Sequence, residues 1–416
     1  METLNVFLRG QLAGELSFGD EGLSFSYKEE YLKDAEARKL SSSLPLEQKY
    51  FKHQECQAFF SGLLPDGKIR EALAQYLQIS ETNIFGLLKA IGGECAGAIS
   101  LHSPNKNKIE QRYSYKILES KAAQRLLSAL DQRPFLVGEE GLRMSAGGAQ
   151  SKLMVSFNKG QLALPLYDTP STHILKPAMK GFEDSVFNEF FCMQLAQDLG
   201  LKVPSTEVIW IENSSYYLIE RYDRRTNDSG ETERLHQEDF CQALNIPPEL
   251  KYENEGGPSL VRSMCLVDSR VKQGLMRGVT KIEFLRIIIF NYLIGNGDAH
   301  GKNFSLLYEA REESLAPFYD LLSTMVYSNP YKSKMAMKLG GAYKFHSVGI
   351  KNFEKLADAC NIKFSLVDKQ INYFKKNILK QAEKLSEELS LNSQTQSKIY
   401  QKIIEVIIIN IQALAC

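Results

Sequence analysis

The apolar residues of this chain change their spacing near residue 235, and that change constrains the fold more than any other feature. Before it, short runs alternate or cluster as strands do. These are LNVFL and LSFSY near the start, then SKLMVSF, STHILKP, STEVIWI and SYYLIERYD between about 135 and 225. After it the spacing is mostly helical. A strand sends successive side chains to opposite faces, whereas a helix returns to one face every three or four residues, so neither pattern serves for the other. The chain therefore reads as α+β, an α/β first half followed by a mainly helical second half, and a cleft between two such halves is a natural ligand site. At 416 residues it exceeds one ordinary core and implies two or three domains.

Within the first half, EALAQYLQI has helical spacing, and EDSVFNEFFCMQLAQDLG (183–200) is the clearest helix, opening on acids that suit its positive end. The polar stretch HSPNKNKIEQR (102–112) is the first candidate boundary. Near the end, IIEVIIINI (403–411) is too short to span a bilayer and reads as a buried helix. Fifty basic and fifty acidic residues cancel, so no global field draws the chain to nucleic acid or an anionic membrane. Seven scattered cysteines without CxxC spacing suggest reduced thiols in a cytosol rather than a disulfide framework or zinc site.

The exception in the helical half is NFSLLY…LAPFYD (303–320), which reads as two strands joined by a charged turn. Directly before it stands NGDAHGKN (296–303). A hairpin brings its ends together, so Asn303 should lie beside Asp320, with Asp298 close by. Two oxygen-donor side chains at a hairpin mouth can hold Mg²⁺. A third carboxylate nearby can accept a proton from a hydroxyl nucleophile. The D-x-x-x-x-N spacing from Asp298 to Asn303, followed by a second Asp on a hairpin, is that of the protein-kinase catalytic loop.

Phosphoryl transfer also needs a cation for nucleotide phosphates, an anchor for it, and amides around the phosphates. Lys176 ends the apolar run THILK, and thirteen residues later Glu189 lies among Phe187, Phe190 and Phe191. A carboxylate in such company wants a partner, with Lys176 the natural one. A solvated position on an amphipathic helix is the other reading of Glu189. Upstream, MSAGGAQSKLMVSF (144–157) sets Gly147 and Gly148 just before a strand, where backbone can approach phosphate closely. It is neither a Walker A loop nor G-x-G-x-x-G, and an ordinary tight turn would look the same. YYLIERYD (216–223) falls where a hinge between lobes would offer backbone groups to adenine, or it is an edge strand and exposed loop.

Together the segments MSAGGAQSK, STHILKP, NEFFCMQLAQDLGL, ERYDRR, RLHQEDFCQALN, KYENEGGP, NGDAHGKNFSLLY and LAPFYDLLS resemble, in order, the HipA-type serine/threonine kinases, toxins of bacterial type II toxin–antitoxin pairs. The resemblance covers most of the chain. It implies a bilobal protein-kinase-like fold: an accessory subdomain at 1–105, a kinase N-lobe at 106–245 and a helical C-lobe at 246–416. It also implies ATP and Mg²⁺ as cofactors and a cytoplasmic location. Asp298 would be the catalytic base, Asn303 and Asp320 the Mg²⁺ ligands, and Lys176 a phosphate contact paired with Glu189. Gly147, Gly148, Ala149, Gln150, Ser151 and Lys152 would form the phosphate-binding loop, and Glu220 and Tyr222 the adenine hinge. His300 and Lys302 sit in the catalytic loop on the nucleotide side, where Lys302 either steadies phosphate or is merely solvated.

Autophosphorylation maps to Ser145. The extra glycine and hydroxyl of SAGGAQSK leave Ser151 as an alternative. Expected partners are a small helix-turn-helix antitoxin, operator DNA mainly through it, and a protein substrate, with an aminoacyl-tRNA synthetase as one candidate. Two other functions stay open, a small-molecule phosphotransferase and a catalytically silent member of a repressor complex.

Overall fold

In the computed structural model, residues 2–109, 113–228, 231–309, 312–328 and 333–414 are described. The last three residues of the 102–112 stretch, two residues of the expected charged turn and Cys416 lie outside them. The first strands form a five-stranded antiparallel sheet in the order Tyr50–Phe51, Gly22–Tyr27, Gln11–Gly19, Glu2–Leu8, Ile99–His102. Three helices, His53–Gly62, Gly67–Leu77 and Ile84–Ile91, accompany it. A second, six-stranded sheet runs Thr206–Ile211, Ser214–Glu220, His173–Pro177, Leu153–Asn158, Gln161–Leu166, Ser114–Ile117. The two sheets share one continuous apolar core, in which Leu4, Phe25 and Phe59 belong to the same cluster as Leu153, Leu175 and Leu218. The N-terminal sheet is thus packed into the next one rather than tethered to it.

The helix Ser185–Asp198 leaves the second sheet and belongs to the other large core, that of the helical half. At the centre of that half lies Thr280–Ile294, apolar on nearly every face and buried accordingly. It stops at Gly295, whose φ of +72° is left-handed. There the Asn296 amide reaches back to the Asn291 carbonyl and Gly295 to Tyr292, a Schellman ending. A side chain at Gly295 would also strike Val406 and Met325, at 2.7 and 2.9 Å. The catalytic-loop segment starts where this helix is forced to end.

The expected hairpin is present but shorter than its sequence suggested. Ser305–Glu309 pairs with Glu312–Leu315, and the return strand does not run on to Asp320. Pro317, which has no N–H for a ladder, follows within two residues. Asp320 is delivered by an irregular segment and has a left-handed φ of +55°. The helical half also holds strands its spacing did not announce: His236–Asp239, paired with Ser305–Glu309, and the hairpin Lys334–Leu339 with Ala342–Lys344. Among the described residues no helix is long and apolar enough to cross a membrane.

Candidate active site

Lys176 sits in the strand His173–Pro177, opposite Tyr217, with its ammonium 5.6 Å from that ring's centre. Its Nζ donates to Glu189 Oε1 at 2.8 Å and to Asp320 Oδ1 at 2.5 Å. Lys176 and Glu189 are 5% and 3% exposed, which rules out the solvated reading of Glu189. One cation thus joins a sheet strand, the helix Ser185–Asp198 and the segment after the hairpin. Burial works against the Lys176 charge, but the two carboxylates more than offset it and raise its pKa. Burial would also raise Asp320, yet Lys176 and Lys152 hold it down at about 2. Glu189 is pushed up to about 7 by burial, because Lys176 is shared with Asp320.

The loop segment is tied down at several points. Asp298 Oδ1 accepts from the Tyr252 hydroxyl at 2.7 Å, and the Asp298 carbonyl accepts from Asn303 Nδ2 at 3.2 Å. The Tyr319 hydroxyl donates to the Lys302 carbonyl at 2.8 Å, and Asn296 Nδ2 donates to the Asp320 carbonyl at 3.3 Å. These bonds fasten the residues flanking Asp320 to both ends of the 296–303 loop. His300 is buried and packs edge-on against Tyr252; burial lowers it to about 4, so it is neutral at pH 7. Lys302 is not solvated. Its Nζ donates to both carboxylate oxygens of Asp66, at 2.8 and 2.9 Å.

Gly148 has φ +98°, which favours glycine, and a Cβ there would lie 2.7 Å from Lys152 Nζ, the far end of a side chain that would have to shift. Lys152 Nζ donates to the Gly147 carbonyl at 2.7 Å; burial, then the neighbouring Lys176 charge, bring it down to about 8. Ala149 lies about 4.0 Å from the position of a Gly67 side chain, and Gln150 Nε2 reaches the Pro177 carbonyl at 3.3 Å. Ser151 Oγ donates to Asp131 at 2.6 Å. Ser145 is fully buried, its Oγ donating to the Leu63 carbonyl at 2.6 Å. Farther along, Glu220 is exposed at the end of its strand. The Tyr222 ring stacks on Tyr319, and its hydroxyl donates to Gln237 at 2.7 Å. The structure gathers Lys176, Glu189 and Asp320 by direct contact and joins the 296–303 loop to Tyr319 and Asp320 through the side-chain-to-backbone bonds of Tyr319 and Asn296. Glu220 makes no such contact.

Among the described residues, no group of three or more His, Cys, Asp or Glu side chains could hold a metal ion. The pair expected to hold one has a different make-up, one carboxylate and one amide. Mg²⁺ is commonly bound by one or two protein oxygens together with substrate phosphates, and an Asp320 held ionised suits that use. Asp66 and Tyr252 escaped the sequence reading. Asp66 marks the site only through a partner 236 residues away, and Tyr252, although inside the KYENEGGP segment, takes its place there through one 46 residues away.

A strand lysine bridged to a helix glutamate and to an aspartate after a hairpin, between a sheet-rich and a helical half, defines a kinase-like protein of the α+β class. Within that class the chain belongs to the HipA family. Residues 144–387 match the HipA-like C-terminal domain and residues 4–102 the HipA N-terminal domain. It is 39% identical to Y4mE of Sinorhizobium fredii, which bears a provisional kinase name, over 89% of each chain. It is 30% identical to the serine/threonine-protein kinase toxin HipA of Shewanella oneidensis, covering 83% of this chain and 80% of that one. Its fold is similar to a solved complex of HipA, HipB and operator DNA from Shewanella oneidensis MR-1. There the TM-score is 0.82 at 23% identity, covering 99% of this chain and 96% of that one.

Proposed function

We propose that this chain is an ATP- and Mg²⁺-dependent protein serine/threonine kinase and the toxin of a toxin–antitoxin pair. The observation that carries the reading is the buried Lys176, held charged between Glu189 and Asp320. A buried cation fixed between two lobes is what a nucleotide polyphosphate requires. In this reading Asp298, steadied by Tyr252, accepts the proton of the substrate hydroxyl. Asn303 and Asp320 would hold Mg²⁺, which when bound neutralises charge on the phosphate oxygens. Residues 147–152 would cradle those phosphates, and Glu220 and Tyr222 would border adenine. The names of the relatives support the kinase and toxin assignments. The chain divides, in our reading, into an accessory subdomain at 1–105, an N-lobe at 106–245 and a C-lobe at 246–416. The HipA–HipB–DNA complex supports a helix-turn-helix antitoxin as partner, with operator DNA reached mainly through it. An aminoacyl-tRNA synthetase is one candidate substrate, and the cytoplasm the compartment.

Self-phosphorylation at Ser145 requires the loop to leave the position seen here, because its hydroxyl is buried against Leu63. A doubly charged phosphate on a loop that must hold ATP phosphates would repel them and favour an open loop. Purified protein given Mg-ATP should label itself, with mass spectrometry finding phosphate on Ser145 or Ser151, and should label a protein in bacterial lysate. Transfer only to a small molecule would replace this reading by that of a small-molecule phosphotransferase. Absence of any transfer would leave a silent repressor component.

A further inference from the structure

Asp66 belongs to the N-terminal sheet's own half of the molecule, in the turn before the helix Gly67–Leu77, yet its carboxylate lies inside the candidate site. Both its oxygens accept from Lys302 Nζ, and Oδ2 also lies 3.5 Å from Lys251 Nζ. Its backbone amide donates to the Gly148 carbonyl at 3.1 Å. Four residues earlier, the carbonyl of Gly62 would be 3.4 Å from a Cβ on Gly147, and the Leu63 carbonyl accepts from Ser145. The same segment is anchored from behind. Gln242 Nε2 donates to the Phe59 carbonyl, and Arg70 binds both Ser61 and Glu249. Residues 62–67 therefore touch both the glycine loop and the catalytic-loop lysine.

We propose that Asp66 is a positioning residue of this site: it fixes Lys302 under the glycine loop and, through its segment, holds that loop closed over the nucleotide phosphates. The proposal rests on the kinase reading above and adds to it a third wall supplied by the N-terminal subdomain. Three features support it. Lys302 Nζ would be 3.5 Å from a Cβ on Gly147, so the ammonium lies against the loop. Lys302 is buried, and a buried ammonium without its carboxylate is a costly arrangement that the surroundings would move to relieve. Another acid near Lys302 is Asp239, whose Oδ1 already accepts from the Gln242 backbone N–H as the cap of the short helix Phe240–Ala243. Lys302 is thus set by an aspartate 236 residues upstream and, while held there, is not a free phosphate ligand.

The test is steady-state kinetics of the full chain with Mg-ATP, together with binding of Mg-AMPPNP by calorimetry. Asp66→Asn keeps the shape and removes the charge. It should raise KM for ATP and weaken AMPPNP binding by about tenfold or more, with a smaller change in kcat, because the loop's closed state is what is lost. A residue that only stabilised the fold would lower the active fraction, hence apparent kcat, and leave KM alone. Lys302→Met should have the same effect, and the double variant should be no worse than either single one. If Asp66→Asn fails to fold, the double variant, in which the buried Lys302 ammonium is gone and Lys251, 3.5 Å away, alone loses a partner, carries the test. An Asp66→Asn protein with wild-type KM and nucleotide affinity overturns the positioning role while leaving the kinase reading intact. A wild-type chain that neither binds nor uses ATP overturns both.

Discussion

Glu189→Gln separates the stability of this site from its use. The Glu189 carboxyl is 3% exposed and pushed up from 4.5 to about 7, while Lys176 leans on Asp320 as its second partner. At about 1.4 kcal/mol for each tenfold in the proton equilibrium, keeping this carboxylate ionised in the folded chain costs about 3 kcal/mol. The sign follows from the raised value. The folded state holds the proton more tightly than the unfolded one, so the contribution is fully present below pH 4.5 and is lost as pH rises through about 7. Glutamine has the shape of the protonated acid and nothing to ionise. The variant should match wild type near pH 4.5 and be more stable by up to about 3 kcal/mol above pH 8. Phosphoryl transfer should nevertheless drop by about tenfold or more, because Lys176 is then oriented from one side only. Urea unfolding at pH 4.5, 6, 7 and 8.5 reads the first effect, and self-labelling with ATP the second. A variant less stable than wild type at pH 8.5, or one with the same pH slope, would refute the reasoning. Glu189 would then be a net stabilising ion-pair partner instead of a tolerated strain.

Three further outcomes follow from the geometry. Asp298→Ala should reduce phosphoryl transfer by on the order of 100- to 10,000-fold and abolish growth inhibition on expression; undiminished toxicity would mean that catalysis is not the toxic activity. Tyr252→Phe removes the donor 2.7 Å from Asp298 and should lower kcat by about tenfold with little change in melting temperature, checked by kinetics beside calorimetry. Gly148→Ala forces a side chain onto φ +98° and within 2.7 Å of Lys152; it should cost about 1–3 kcal/mol locally and appear as weaker ATP binding rather than global unfolding.

What could be read from the sequence was what is local. Lys176 at the end of an apolar run and Glu189 among three phenylalanines each signalled a charge in need of a partner, and the two are 2.8 Å apart. The D-x-x-x-x-N spacing and the hairpin were legible because they span few residues. The return strand was read too long because YD after AP resembles a strand end, although Pro317 cannot continue a ladder. The strand His236–Asp239 was missed for the opposite reason. HQED has no strand-forming composition and is extended only because Ser305–Glu309 pairs with it. Asp66 was beyond reach: PDG reads as a turn, and nothing near it mentions a lysine 236 positions away.

The helix Thr280–Ile294 ends at Gly295 against the last helix, Ile399–Ala413, whose Asn410 donates to the Tyr292 and Leu293 carbonyls at 2.9 and 3.3 Å. This has a consequence during protein synthesis. Every residue assigned to the site has been added once Asp320 is made, but the Asn410 bonds that brace the end of the helix Thr280–Ile294, just before the 296–303 loop, come only with the helix Ile399–Ala413. At about 5–20 residues per second, a ribosome needs roughly 5 to 20 seconds for the intervening stretch. Through that interval the nascent chain has the residues of the site without the brace behind its catalytic loop. A chain truncated before Ile399 should therefore carry all the site residues on a less firmly braced loop and label itself more weakly than the full chain.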